Sequence, residues 1–472
     1  MNARKIAAFA IGPIGGAALG FITLPIITWF YSAEDIGRIA MFQVMSSFCI
    51  LLFSLGLDQA YVREYHEAEY KPELLKASLL PGLLLLTAGL LLCFVMPVFI
   101  SRSLFDVDSL LISLLVAICF LAAFISRFLS LILRMQEKGL AFSMSQVLPK
   151  LLFLMVIGTY FLFSFGFDFL HLVIAHTTSI LAVTLIYAWN TRKEWLAALP
   201  LKIDIEKLKA LLRFGSPLIM GSAAFWGLTA MDKLFLRSFS SFEELGIYSV
   251  ASNFAAVAII FQSVFSTVWA PIVYKLAAEG INTNKIDKVT DGVLAVVVVL
   301  FSLAGLFSWI VALILPPQYK DVQYILLPCM AYPLFYALSE ATAVGIGITR
   351  KTIYSMLASL IAAIVNAIGN YLLIPKLGAS GAAISTAISF WLFFFLRTEF
   401  SIRVWRPLPR AKLYTLTLAC LLLSVLFTLL GDIYYQYFMT SFFTLLLILL
   451  FLYKKQIRLF NLKSLLVERS TK

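Results

Sequence analysis

The residues best able to do chemistry in this chain are charges set inside long apolar runs. Lys150 is the deepest base. It lies two residues from the middle of the run 140–164, about 3 Å from a bilayer midplane at ~1.5 Å of helical rise per residue. Pro149 precedes it and Gln146 lies one turn away. Arg127 occupies the second half of the run 109–133, with Arg134 on the same helical face. Glu340, in the run 322–348, is the deepest acid; Asp232 and Lys233 lie toward the end of 214–236; Asp58, Arg63 and Glu64 cluster just after 39–57. An ionisable group at the centre of a membrane helix costs roughly 2.5–3.5 kcal/mol on insertion scales, so each marks a cavity or a partner. Lys150 is read as a cavity base that attracts an anion, against a structural salt bridge. Arg127 either lines the same cavity or snorkels to the interface. Glu340 is a proton- or cation-coupling acid, or the partner of a buried base. Asp58, Arg63 and Asp232 are further gating or ion-coupling candidates, although Asp232 and Lys233 also suit an interface. Gln146, Asn253, Gln262, Asn366 and Asn370 have amides that bind sugar hydroxyls or bridge helices. His176 reads as a helix–helix contact.

Other chemistries are excluded. There is no phosphate-binding loop, no cluster of His, Asp and Glu at metal-ligand spacing, and no nucleophile–base pairing. The five cysteines all fall within apolar runs, where they act as small fillers. No cofactor and no enzymatic reaction are expected. Without a nucleotide site, uphill movement of a solute must draw on an ion gradient, the membrane potential or removal of product.

The elements that must position these charges are membrane helices. About fourteen apolar runs are present, most as long as the ~20 residues needed to cross a bilayer. They cover 6–31, 39–57, 78–100, 109–133, 140–164, 169–189, 214–236, 245–271, 290–315, 322–348, 352–374, 379–397, 411–430 and 436–453. Hydrophobic residues make up 61% of the 472 and charged residues 13%. Continuous runs rather than alternating segments select helices over a barrel. The expected fold is an all-α polytopic membrane protein. The net charge of +12 does not point to nucleic acid. With the N-terminus cytoplasmic, only Arg38, Arg102, Arg237, Lys320 and Lys376 fall in segments on the opposite side, and Arg127, Lys150 and Lys233 fall within runs. The rest of the 37 basic residues are cytoplasmic, which is the positive-inside pattern with both termini inside.

A short internal repeat organises the runs. Ser32-Ala-Glu-Asp-Ile-Gly-Arg-Ile-Ala40 resembles Ser241-Phe-Glu-Glu-Leu-Gly-Ile-Tyr-Ser249, and at the same offset the Phe165–Asp168 turn falls near Pro375–Gly378. An offset of six runs preserves direction, so two six-helix lobes are expected, related by a pseudo-twofold along the membrane normal, with two further helices. The lobes are 1–189 and 214–400. Between them, 190–213 reads as a cytoplasmic amphipathic linker, with Ile203, Ile205, Leu208, Leu211 and Leu212 among basic residues, suited to an anionic leaflet. Helices 13 and 14 occupy 411–453, and 454–472 is a basic cytoplasmic tail. Gly12, Gly16 and Gly20 with Pro13 and Pro25 in the first run, and Gly215, Pro217, Gly221 and Gly227 in the seventh, allow either bending or close helix packing.

Leu24-Pro25, the turn Glu34-Asp35-Ile36-Gly37 and the stretch Leu55-Gly56-Leu57-Asp58-Gln59-Ala60-Tyr61-Val62-Arg63-Glu64-Tyr65 resemble the O-antigen (Wzx-type) flippases of the multidrug/oligosaccharidyl-lipid/polysaccharide exporter superfamily. That resemblance implies a protein of the bacterial inner membrane. It would move undecaprenyl-pyrophosphate-linked oligosaccharide from the cytoplasmic to the periplasmic leaflet by alternating access, coupled to H+ or Na+. Polysaccharide polymerase and chain-length machinery would be its partners. Lys150 and Arg127 would meet the pyrophosphate. Related peptidoglycan-precursor flippases carry cavity bases in the first helix; here none occurs between Lys5 and Arg38. Three other readings stand beside this one. A multidrug exporter of the same fold would want cavity acids. A membrane glycan polymerase or ligase would want a large outer loop, and the outer loops here are short. A scaffold of the assembly machinery would have no transport activity.

Overall fold

The computed structural model describes the backbone of residues 3–164, 166–278 and 283–470, and side chains except at 3–10, 13, 257, 267, 270, 271, 274–278, 283–285 and 455–470. The side chains of Arg4, Lys5, Lys275, Lys285 and nearly all of the basic tail therefore lie outside the described residues. The described chain is helical throughout, with no strand. Among the described residues ten helices are long and apolar enough to cross a membrane, or eleven if a pair bent by 53° at residues 254–258 forms one span. The chain is thus a multi-pass membrane protein. The eleventh and twelfth apolar runs are two helices that meet at a kink at Gly378, where φ is +53°, within the stretch Ile353–Val404.

The chain forms two compact units, Met1–Ala256 with Ala367–Ala382, and Val257–Asn366 with Ala383–Lys472. Unit 1 holds α1 (Ala3–Phe30), α2 (Ala33–Phe53), α3 (Leu57–Glu64), α4 (Lys71–Cys93), α5 (Phe99–Phe105), α6 (Leu110–Met135), α7 (Gly139–Leu162), α8 (Phe169–Asn190), α9 (Arg192–Ala198), α10 (Ile205–Phe239) and α11 (Phe242–Phe254). Unit 2 holds α12 (Ala256–Ala278), α13 (Thr283–Leu306), α14 (Trp309–Ile314), α15 (Val322–Thr342), α16 (Val344–Ile348), both ends of α17 (Ile353–Val404), α18 (Ala411–Leu430) and α19 (Tyr435–Ser470).

Local chemistry explains several boundaries. Ser32 caps α2 by accepting from the Asp35 N–H, and Ser241 caps α11 by accepting from the Glu244 N–H. These are the two ends of the sequence repeat. The segment 190–213 is not one amphipathic helix. α9 ends at Ala198, and from Ile205 the chain runs without a break into the seventh apolar run. Leu208, Leu211 and Leu212 pack against a core that includes Tyr61, Tyr65 and Leu74, while Leu196, Leu199 and Ile205 stay exposed. Lys76 donates to the carbonyls of Leu199 and Leu201, both at 2.6 Å. Lys207 pairs with Glu73 at 2.9 Å; that hydrogen bond holds its ammonium above the usual lysine range, but the pair is exposed and contributes little.

The glycines of the first run form a packing seam. A Cβ on Gly12 would lie 2.8 Å from Ser143 Cα, and one on Gly16 would lie 3.2 Å from the Gln146 carbonyl oxygen. α7 therefore sits directly on α1 along this strip. The seventh run is different: Gly215 is a contact point, while Gly221 has nothing within 4 Å of its Cβ position.

Candidate functional site

α2 runs beside α10 and α11 within unit 1, and backbone contacts close this seam at both ends. Gly37 presents a Cα hydrogen to the Phe242 carbonyl, and Gly246 presents one to the Ala33 carbonyl, each with no room for a Cβ. The two contacts map onto one another at the repeat offset. Beside them, the Phe242 ring lies between the guanidinium groups of Arg38 (5.3 Å) and Arg237 (4.5 Å), and Arg237 pairs with Asp106 at 2.5 Å. At the far end Gly56, whose φ of +69° requires glycine, backs onto Gly215.

Between these closures lies a cavity of about 330 Å³, lined by residues that include Ser47, Ser54, Asp58, Gln59, Arg127 and Ser222. Arg127 from α6 donates to Asp58 of α3 at 2.8 Å. Asp58 is buried, whereas 42% of the Arg127 side chain is exposed, so the guanidinium remains available to a second acceptor. Gln59 Nε2 donates to Ser222 Oγ at 2.9 Å, and Trp226 Nε1 donates to Ser47 Oγ at 3.0 Å. A charge pair and four neutral polar side chains, Ser47, Ser54, Gln59 and Ser222, facing one space suit a hydrated anionic head group better than an acyl chain.

The other expected residues lie elsewhere. Lys150 crosses the α1–α7 seam and donates to the Gly16 carbonyl at 2.5 Å. The missing Cβ of Gly20 leaves room for its ammonium, since a Cβ there would lie 2.8 Å from Nζ. Gln146 packs on Gly16 in the same seam. Neither residue lines the Arg127 cavity. Arg63 does not join Asp58; it pairs with Glu67 on an exposed surface. Asp232 is fully buried and accepts from Tyr248 Oη at 2.6 Å and Asn370 Nδ2 at 2.7 Å. Asn253 donates to the Ser249 carbonyl within its own helix. His176 packs between the rings of Phe42 and Phe153. In unit 2, Asn366 is buried and donates to Thr386 Oγ1, joining the two arms of α17. Gln262 is half-buried on α12. Glu340 accepts a hydrogen bond from Ser266. No group of three or more His, Cys, Asp or Glu able to hold a metal ion occurs among the described residues.

Arg397 was not singled out in the sequence; its helix continues to Val404, and Arg397 Nη1 donates to Ser339 Oγ at 2.8 Å beside Glu340. Gln59 was missed because its partner Ser222 lies 163 positions away, and Tyr248 because only the packing of α10 on α11 brings its hydroxyl to Asp232.

An Arg–Asp pair thus lines an open cavity between helices of a multi-pass protein, and comparisons with solved structures define the fold. The chain matches a structure described as "Lipid II flippase MurJ, inward closed conformation" with a TM-score of 0.69 and 15% identity, over 95% of this chain and 99% of that one. It also matches an inward-facing multidrug resistance MATE family transporter of the MOP superfamily, with a TM-score of 0.54 and 17% identity, over 85% of this chain and 95% of that one. The chain belongs to the polysaccharide biosynthesis protein family, whose model matches residues 3–277. No curated protein matches it.

Proposed function

We propose that the chain is a flippase, not an enzyme, and that it carries a lipid-linked oligosaccharide across the bacterial inner membrane, from cytoplasmic to periplasmic leaflet, for O-antigen or a related surface polysaccharide. The observation that carries this reading is the half-exposed Arg127 side chain, paired with Asp58, in an open cavity of a chain that belongs to a polysaccharide biosynthesis family. Arg127 meets the pyrophosphate first. Lys150 is a second base, released from the Gly16 carbonyl when α1 moves against α7. Two six-helix lobes, 1–189 and 214–400, alternate access to the head group, both termini are cytoplasmic, and polymerase and chain-length proteins act on the product. Replacing Lys150 by Ala should abolish surface polysaccharide at normal protein level and cause lipid-linked repeat units to accumulate facing the cytoplasm. Normal polymer from that variant would remove Lys150 from the mechanism.

Energy enters through Asp232, a fully buried carboxylate that accepts from Tyr248 and Asn370, and its burial suits it to exchange H+ or Na+. Asp232→Asn keeps the side-chain shape but removes the charge. In vesicles it should leave head-group binding intact and make translocation independent of an imposed ion gradient. Unchanged gradient dependence in this variant would exclude Asp232 as the coupling group.

A further inference from the structure

α15 is buried on nearly every side. From Ile325 to Thr342 each residue is buried except Tyr332, Tyr336 and Glu340. These recur every fourth position, so they form one stripe. α12 carries a matching stripe of half-buried Phe261 and Phe265, continued by Trp269, with ring centroids 6.3 and 5.7 Å apart and planes within 21° of parallel. The two stripes meet where Ser266 donates to Glu340 and where Trp269 Nε1 donates to the Glu340 carbonyl at 3.2 Å. Tyr336 stacks on Phe393 at 5.8 Å, and the Arg397 guanidinium lies 5.2 Å from the Phe393 ring. A stripe facing acyl chains would be apolar throughout. One that ends in a partly buried carboxylate and a serine suits water or a polar ligand instead.

We propose that Tyr332, Tyr336 and Glu340, with Phe261, Phe265 and Ser266, form a sugar-binding strip that takes a pyranose of the translocated head group; this rests on the function proposed above. Flat aromatic faces match the apolar C–H face of a pyranose, and Tyr332 also offers a hydroxyl. The Glu340 carboxylate accepts from neighbouring hydroxyls in charge-assisted hydrogen bonds. An organic cation would also like rings and a carboxylate, but the Arg397 guanidinium already stands beside Glu340 and opposes a second positive charge.

The test uses the full chain in nanodiscs with three probes: undecaprenyl pyrophosphate, undecaprenyl-pyrophosphoryl-N-acetylglucosamine and tetraphenylphosphonium. The unaltered chain should bind the sugar-bearing lipid at least tenfold more tightly than the sugar-free one. Tyr336→Leu, which keeps apolar bulk without a flat face, should abolish that difference and leave the sugar-free affinity unchanged, while Tyr336→Phe should retain it. Tyr332→Leu makes the same test if the first variant does not fold. An unchanged ratio, an equal loss for both lipids, or tetraphenylphosphonium binding that Tyr336→Leu removes would overturn the strip. If neither lipid binds the unaltered chain, the flippase reading fails and takes the strip with it; if both bind equally, the strip alone fails.

Discussion

Gly246→Ala and Gly37→Ala are each expected to destabilise the chain by about 3 kcal/mol, the upper part of the usual range for overpacking a close contact. The reason is geometric. In each case the new methyl would run into a backbone carbonyl, Ala33 for Gly246 and Phe242 for Gly37, and a carbonyl at a helix start cannot swing aside as a side chain can. The Ser32 and Ser241 caps fix those helix starts further. Gly221→Ala supplies the control, because that position has nothing within 4 Å and an exposed helical glycine gains roughly 1 kcal/mol on replacement by alanine. Thermal unfolding in detergent should therefore rank Gly221→Ala at or above the unaltered chain and the two seam variants far below it. Equal stability of all three would mean that α2 and α11 do not make this contact. The seam variants should also lose export, since a conformation with the Gly37 end closed becomes inaccessible.

The second large effect is at Arg127. Its replacement by Ala leaves the buried Asp58 carboxylate without its cation. Breaking a fully buried pair costs about 3–5 kcal/mol, and the half-exposed guanidinium reduces that to roughly 2 kcal/mol here. Export should fall to background. The double variant Asp58→Asn with Arg127→Gln removes both charges and should recover most of the lost stability while remaining inactive. That separation matters, because a merely structural ion pair would recover stability and export together. Export restored in the double variant would assign the pair to folding alone.

The repeat offers a measured view of what the sequence conveys. Nine residues at each of two sites pointed to a duplicated unit, and both copies start a helix with a serine cap and a glycine in close contact with the other copy. That much was legible because caps and close-packed glycines are local requirements. The glycine strip of the first run was legible as an alternative between bending and packing, and the structure shows packing against Ser143 and Gln146. The linker's leucine spacing fits a leaflet and a protein core equally well; that Leu208, Leu211 and Leu212 meet Tyr61, Tyr65 and Leu74 depends on neighbours no local spacing reveals.

By itself the sequence determined that this is a multi-pass helical membrane protein, since apolar run length and the cost of unpaired backbone groups in lipid leave no other fold. It also determined which few residues are costly enough to need a reason: Lys150, Arg127, Asp58, Asp232 and Glu340. The tertiary structure decided what each of them faces. Arg127 found Asp58 across 69 positions, Lys150 found the Gly16 carbonyl across 134, and Asp232 found Asn370 across 138. Helix periodicity fixes the direction of a side chain from its own axis, but its partner depends on which helix packs there and at what height. That choice is made by contacts distant in sequence, such as Gly37 on Phe242 and Gly56 on Gly215, where missing side chains let two backbones meet.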